Sequence, residues 1–293
     1  MAQPERVSPM GGVEAYTPAE IARMVETKGV IKAGGAFFPT FVLGVLAGAF
    51  IAFGAVLSTV VGTGSELGFG PTRWLAGLAF SLGLILVVVA GAELFTGNNL
   101  VVMSLVDGHI TITQLLRNWG IVFVGNFVGA ISIVLLVWLG RGWELGGSEV
   151  GVSALSIAAT KTALPFGVVF VRGILCNVLV CLAVWLAMAG KTVVDKVFAI
   201  IFPIAAFVAI GFEHSIANMY FIPQGMLLKD EPGLAAAAQE AGLKPEQLAS
   251  LDWNGLVSNI TAATLGNIVG GGLLVGLVYW FVYLRPARGG DKT

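Results

Sequence analysis

The stretch Gly211–Met219 reads GFEHSIANM, and it lies inside a long apolar run. It carries two ionisable residues, Glu213 and His214. A charge at bilayer depth costs at least ~2.5–3.5 kcal/mol, so such a residue is a functional candidate by default. An earlier stretch, Gly91–Asn98, reads GAELFTGN. Gly91, Glu93 and Asn98 match Gly211, Glu213 and Asn218, so Gly-x-Glu-x-x-x-x-Asn occurs twice.

The surrounding chain is a membrane protein by composition. It is 57% hydrophobic and 11% charged, where a soluble domain carries about 25% charged residues. The net charge of -1 gives no footing for a nucleic-acid partner. Six apolar runs reach the roughly 20 residues a span requires. They lie near 37–62, 73–105, 113–140, 164–189, 193–228 and 255–284. The second and fifth are too long for one straight span, and each contains a Gly-x-Glu motif. Both are therefore expected as broken helices, with the freed backbone groups held inside protein or along a wet cavity.

The repeat extends further. Gly125-Asn126-Phe127-Val128-Gly129 lies in the third span and Gly266-Asn267-Ile268-Val269-Gly270 in the sixth. Each half then has three spans, an odd number, so the second half enters the membrane with opposite polarity. The expected fold class is an all-α membrane protein with an inverted 3+3 repeat, its path lying where broken helices 2 and 5 meet. Small-xxx-small pairs at Gly44/Gly48, Gly125/Gly129, Gly266/Gly270 and Gly272/Gly276 predict close helix packing.

Residues 1–35 read as a cytoplasmic N-terminal segment, 36–285 as the transmembrane domain and 286–293 as a cytoplasmic tail. Residues 1–35 show no cleavable signal peptide. Thr17-Pro18-Ala19-Glu20 is a capping box, so a short helix is expected over about 18–28, ending at Gly29. It rests on the membrane or the protein, or gates the path. Lys229–Trp253 is polar and reads as an outside loop with short helices. With six spans, ten basic residues fall on the side of the termini, Lys28, Lys32 and Lys196 among them. Five fall on the other side, including Arg73 and Lys161. That bias places both termini in the cytoplasm. Arg172 falls within the fourth span and is left out of the count; a helix or subunit contact, or snorkelling, would account for it.

Several polar residues remain to be assigned. Glu93 and Glu213 are proton or ion sites, or else carboxylates that accept hydrogen bonds from freed N–H groups; their duplication favours the structural role. His214 has Leu94 as its counterpart. A group that supports the joint should appear twice, so the single histidine is assigned to the path, as a neutral donor or a brief cation. Thr96 either meets a substrate near His214 or caps the second half-helix. Asn177 and Lys161 are further candidates, and Lys161 either steers anions at the outer mouth or is a loop lysine. His109 reads as a loop residue. Cys176 and Cys181 point about 140° apart on a helix and read as buried free thiols. No nucleophile motif is present, and two histidines give no metal cluster, so neither enzyme, metal nor cofactor is expected.

AELFTGNN at 92–99, GFEHSIANM at 211–219, NVLVCLAVW at 177–185 and GNIVGGGLLVGLVYW at 266–280 resemble the signatures of the formate/nitrite transporter family. The FIP at 221–223 and the closing GGGLLVGLVYWFVYLR resemble its formate-channel branch, whereas FTGNN and KTALPFG at 161–167 resemble nitrite-type members. The resemblance implies an aquaporin-like homopentamer in the inner membrane, each subunit with its own pore for small monovalent weak-acid anions. Formate is the first expectation, with nitrite, hydrosulfide or proton-coupled secondary transport as alternatives. It also implies that His214 is the pore histidine and Thr96 its partner, with Lys161 and Asn177 tuning the site. Phe80, Leu84 and Phe207 would form one constriction and Leu94 the other. Glu93, Glu213, Asn98 and Asn218 would hold the breaks.

Overall fold

The computed structural model describes residues 14–285, and the tail expected at 286–293 lies outside the described residues. Helix α1 (Pro18–Ala33) opens on the expected capping box, in which Thr17 and Glu20 satisfy each other's N–H groups. It runs past Gly29, where the sequence predicts a stop. Gly29 is not a cap: a Cβ there would clash with the Ser104 side chain, whose hydroxyl donates to the Glu26 carbonyl at 2.7 Å. The glycine permits contact between two elements instead of ending one.

Among the described residues, six helices are long and apolar enough to cross a membrane. They are α2 (Phe37–Gly62), α3 (Phe69–Ala90), α5 (Ile112–Leu139), α7 (Phe166–Ala189), α8 (Val193–Ile210) and the continuous segment Trp253–Leu284. That last segment starts as α12 (Trp253–Ile268) and passes into π-helical turns at Val269–Leu277 and Trp280–Leu284. The second and fifth apolar runs are interrupted where the sequence places the breaks. After α3 the chain leaves the helix at Gly91, then resumes as a 3-10 turn (Gly97–Val101) and α4 (Val102–Val106). After α8 it leaves at Gly211 and resumes as α9 (Ser215–Leu228). Gly91 has φ 82° and Gly211 φ 85°, left-handed values that a side chain disfavours.

Between α5 and α7 lies α6 (Glu149–Thr162), a helix that sequence patterning misses. Its first turn has no side-chain cap, so nothing local marks its start. It stands before the second three spans as α1 stands before the first three. Beyond α9, the polar stretch folds into α10 (Leu234–Glu240) and α11 (Pro245–Ala249).

Packing follows the repeat. Helix α2 packs on α5, and α7 on α12, through glycines at backbone-to-backbone distance. A Cβ on Gly129 would strike the Val45 carbonyl, and one on Gly270 the Ile174 carbonyl. Lipid tails supply no hydrophobic drive between helices, so such close approach is the source of packing energy. Helix α3 crosses to α8, and a core including Phe80, Leu84, Phe95, Phe207 and Tyr220 fills the space between the halves.

Candidate functional site

Each break leaves backbone donors and acceptors that need partners, and the same partners recur. The Glu93 N–H donates to the Leu43 carbonyl at 3.2 Å, and the Glu213 N–H to the Arg172 carbonyl at 3.3 Å. Asn126 Oδ1 accepts from the Phe95 N–H, while its Nδ2 donates to the Gly44 and Glu93 carbonyls at 2.7 and 2.9 Å. Asn267 Oδ1 accepts from the Ser215 N–H, and its Nδ2 donates to the Gly173 and Glu213 carbonyls at 2.8 and 3.0 Å. The Gly-Asn motif is thus the clamp that closes each joint. An amide suits this role because it both accepts and donates from one side chain.

The carboxylates form a second layer. Glu93 accepts from Lys32 at 3.0 Å and from Asn98 at 2.7 Å. Glu213 accepts from Lys161 at 2.9 Å and from Asn218 at 2.6 Å. Asn118 and Asn259 complete the two networks, each accepting from the motif asparagine and donating to the carbonyl of Lys32 or Lys161. Lys32, Asn118 and Asn259 are not among the candidates that residue order suggests. A signal existed: each asparagine stands eight positions before its Gly-Asn asparagine. The geometry fits carboxylates that hold the joints. Asn98 Oδ1 also accepts from Lys32, whereas Asn218 Oδ1 has no hydrogen-bond partner among the described residues.

The two halves differ at the centre. Where the first break has Leu94, the second has His214, and the ring is 2% exposed. His214 Nδ1 accepts the Ala217 N–H at 3.0 Å, so that nitrogen carries no hydrogen. The remaining ring proton belongs on Nε2, 2.9 Å from Thr96 Oγ1. Nε2–H therefore donates to Thr96, and the Thr96 hydroxyl keeps its own hydrogen to give. Phe207 lies along the imidazole, with ring centroids 5.8 Å apart. Asn177 is buried behind this pair, with Nδ2 2.7 Å from both Asn99 Oδ1 and the Asn267 carbonyl and 3.2 Å from the Thr96 carbonyl. It fastens the backbone of Thr96 to the other half.

Two cavities approach this centre from opposite sides. One, of about 650 Å³, reaches His214, Glu213, Phe80, Phe207 and Phe221, and is walled by Lys161, Arg73 and Arg172. The other, of about 410 Å³, reaches Leu84, Leu94, Glu93 and Asn98, with Lys28, Lys32 and Lys196 in its wall. Phe80 and Phe207 meet edge to face, centroids 5.6 Å apart, on the first side. Leu84, expected to share a constriction with Phe80 and Phe207, lies one turn from Phe80 on α3 and instead lines the second cavity with Leu94. Thr96 and Asn177 line neither cavity. Lys28 lies outside the spans, and its ammonium is held below the usual lysine range by burial first, then by repulsion from Lys196 and Lys32.

The formate/nitrite transporter family model matches residues 19–281. The chain belongs to that family. Formate channel FocA of Escherichia coli (strain K12) is 44% identical over 273 residues, covering 92% of this chain and 94% of that protein. A probable formate transporter of Methanothermobacter thermautotrophicus is 36% identical over 291 residues, covering 94% and 99%. Among solved structures, a pentameric formate channel with formate bound has a TM-score of 0.77 at 41% identity, covering 85% of this chain and 98% of that one. As a member of this transporter family, the chain is a multi-pass membrane protein for transport and not an enzyme.

Arg172, for which a helix or subunit contact or snorkelling is the sequence-based expectation, stands in the wall of the larger cavity. His109 is more than a loop residue, since its Nε2 lies 3.1 Å from Glu26 Oε1 and 3.2 Å from Asp107 Oδ2. One atom from each of these three side chains falls within 4.8 Å of the others.

Proposed function

We propose that the chain is a homopentameric channel of the inner membrane that conducts formate through each subunit. Its α1 side and both termini face the cytoplasm, and its larger cavity faces outward. The basic-residue bias supports the orientation. The curated formate channels and the solved pentamer support the substrate and the assembly.

The observation that carries the mechanism is the 2.9 Å contact between His214 Nε2 and Thr96 Oγ1, set between the two cavities. A bare anion pays several kcal/mol to leave water for an apolar passage, even after relaxation. A neutral acid loses much less. Cationic side chains raise the anion's concentration in the outer cavity. At the His214–Thr96 pair the anion gains a hydrogen bond from the Thr96 hydroxyl, whose hydrogen is free because its oxygen accepts from Nε2–H. A proton drawn from bulk solution through the cavity water makes it the neutral acid. The neutral acid then passes Phe80 and Phe207 on one side and Leu84 and Leu94 on the other. Glu93, Glu213, Asn98 and Asn218 keep the breaks in shape, and Asn177 holds Thr96 in reach of the ring.

Nitrite is a second substrate of the same class, and the family's description includes it. Hydrosulfide and proton-coupled secondary transport are separated by assay: side-by-side rates rank the anions, and strict proton stoichiometry with saturation at low substrate marks a coupled transporter. The decisive variant is His214→Phe, assayed for formate uptake in proteoliposomes across pH. Loss of rate and of pH dependence is expected. A variant with unchanged rate and pH profile would rule out the role given to the histidine.

A further inference from the structure

We infer that Arg172 forms an anion-binding subsite in the larger cavity, one that selects planar anions with two oxygens over single-atom anions. The inference rests on reading the chain as a path for small anions.

Three cations wall that cavity, and two of them are occupied. Lys161 is paired with Glu213 at 2.9 Å. Arg73 donates to the Ala209 and Val208 carbonyls at 2.8 and 2.6 Å, closing the end of α8. Glu213, the acidic side chain in the cavity wall, is already held by Lys161 and Asn218. The Arg172 guanidinium has no hydrogen bond or ion pair among the described residues. It shares the wall of the cavity with Arg73. Two guanidinium groups sharing one cavity with no free carboxylate leave a place for a mobile anion.

The repeat shows that the joint does not need this side chain. Arg172 serves the second break through its backbone carbonyl, which accepts the Glu213 N–H. Leu43 performs the same service for Glu93 with an apolar side chain. The charge at 172 therefore appears once, as does His214. An arginine within a membrane span is costly, so a water-filled cavity and a ligand are its natural setting. Arg172 and His214 line the same cavity, so an anion released from the guanidinium stays in the space that reaches the imidazole.

The guanidinium sets the ligand class. Its planar fork presents parallel donors that match two oxygens on one atom, as in formate and nitrite. Hydrosulfide offers one acceptor atom and gains charge attraction only. Lysine keeps the charge without the fork.

The test uses the full chain in proteoliposomes, with initial rates against concentration for formate, nitrite and hydrosulfide. Arg172→Gln is expected to raise the half-saturating formate and nitrite concentrations about tenfold, the size of one lost charge-assisted hydrogen bond. The maximal rate should stay within about twofold, and hydrosulfide should shift much less. Arg172→Lys should restore hydrosulfide and leave formate impaired. Arg172→Leu, copying Leu43, replaces the glutamine variant if that one fails to assemble. Unchanged formate saturation in the neutral variant, or equal shifts for all three anions, would overturn the subsite. If the wild-type chain moves none of the anions, the transport reading fails while the subsite stays measurable. Saturation-transfer NMR of formate on the solubilised protein should then show a signal that Arg172→Gln removes, and equal signals would overturn it.

Discussion

Nε2 of His214 and Oγ1 of Thr96 lie 2.9 Å apart although 118 residues separate them in the chain. Each follows the break of a different apolar run, and the contact exists because the two breaks meet. Thr96→Val removes the acceptor and the hydroxyl hydrogen, leaving a buried N–H without a partner. Such a loss costs ~1–3 kcal/mol, so formate flux should fall roughly tenfold or more. Thr96→Ser should keep most of the rate. Proteoliposome uptake on the three proteins checks this, and equal rates for the valine and serine variants would contradict it.

The two carboxylates should differ in stability. Glu213 and Lys161 are 3% and 16% exposed in their side chains, against 16% and 29% for Glu93 and Lys32. Breaking a buried pair by removing one partner costs ~3–5 kcal/mol, while a pair that water reaches contributes about 1 kcal/mol. Glu213→Gln should therefore lower the Tm of the solubilised protein well beyond Glu93→Gln. The reverse order would refute the assignment of the deeper joint to Glu213.

Gly48 lies against the backbone of Asn126, and a Cβ there would collide with that residue's carbonyl. Backbone cannot swing aside as a side-chain tip can. Gly48→Ala should cost ~1–3 kcal/mol and loosen the clamp that Asn126 places on the first break. Thermal unfolding measures the loss, with Gly70→Ala as the control, since nothing lies within 4 Å of its would-be Cβ.

Lys28 gives a pH prediction of defined sign. Burial, Lys196 and Lys32 lower its folded pKa below 10.5. In the window between that lowered value and 10.5 the unfolded chain binds more protons than the folded one, so folding gains stability as pH rises. Wild type should gain Tm relative to Lys28→Gln across that window, and parallel curves for the two proteins would contradict the shift. Loss of this charge in alkali should also slow anion entry from the α1 side.

Much of this is legible in residue order. Gly91 and Gly211 read as break points because an apolar run too long for one span contains a glycine followed by a buried carboxylate. His214 is separable from Glu213 because only one of them recurs. Other parts are not legible. Gly29 reads as a helix end, and only its neighbour Ser104 shows why a small residue stands there. Lys32 reads as one more basic residue near a terminus, and Arg172 as a contact or a snorkelling side chain, because neither carries a local mark of what it faces. Helix α6 lacks a cap, so its resemblance to α1 emerges only when Lys32 and Lys161 are seen on equivalent carboxylates.

The amino-acid order by itself determined the number of spans, the two interruptions and the duplication, since these depend on hydrophobic run length, backbone freedom at glycine and chemistry within a few residues. The tertiary structure alone decided which side chains meet: the His214–Thr96 contact, the clamps of Asn126 and Asn267, the division of Phe80 from Leu84, and the place of Arg172 in a cavity wall with no bonded partner among the described residues. Those depend on how helices distant in the chain cross. That crossing is set by close packing at glycines and by pairing of freed backbone groups, which no local pattern encodes.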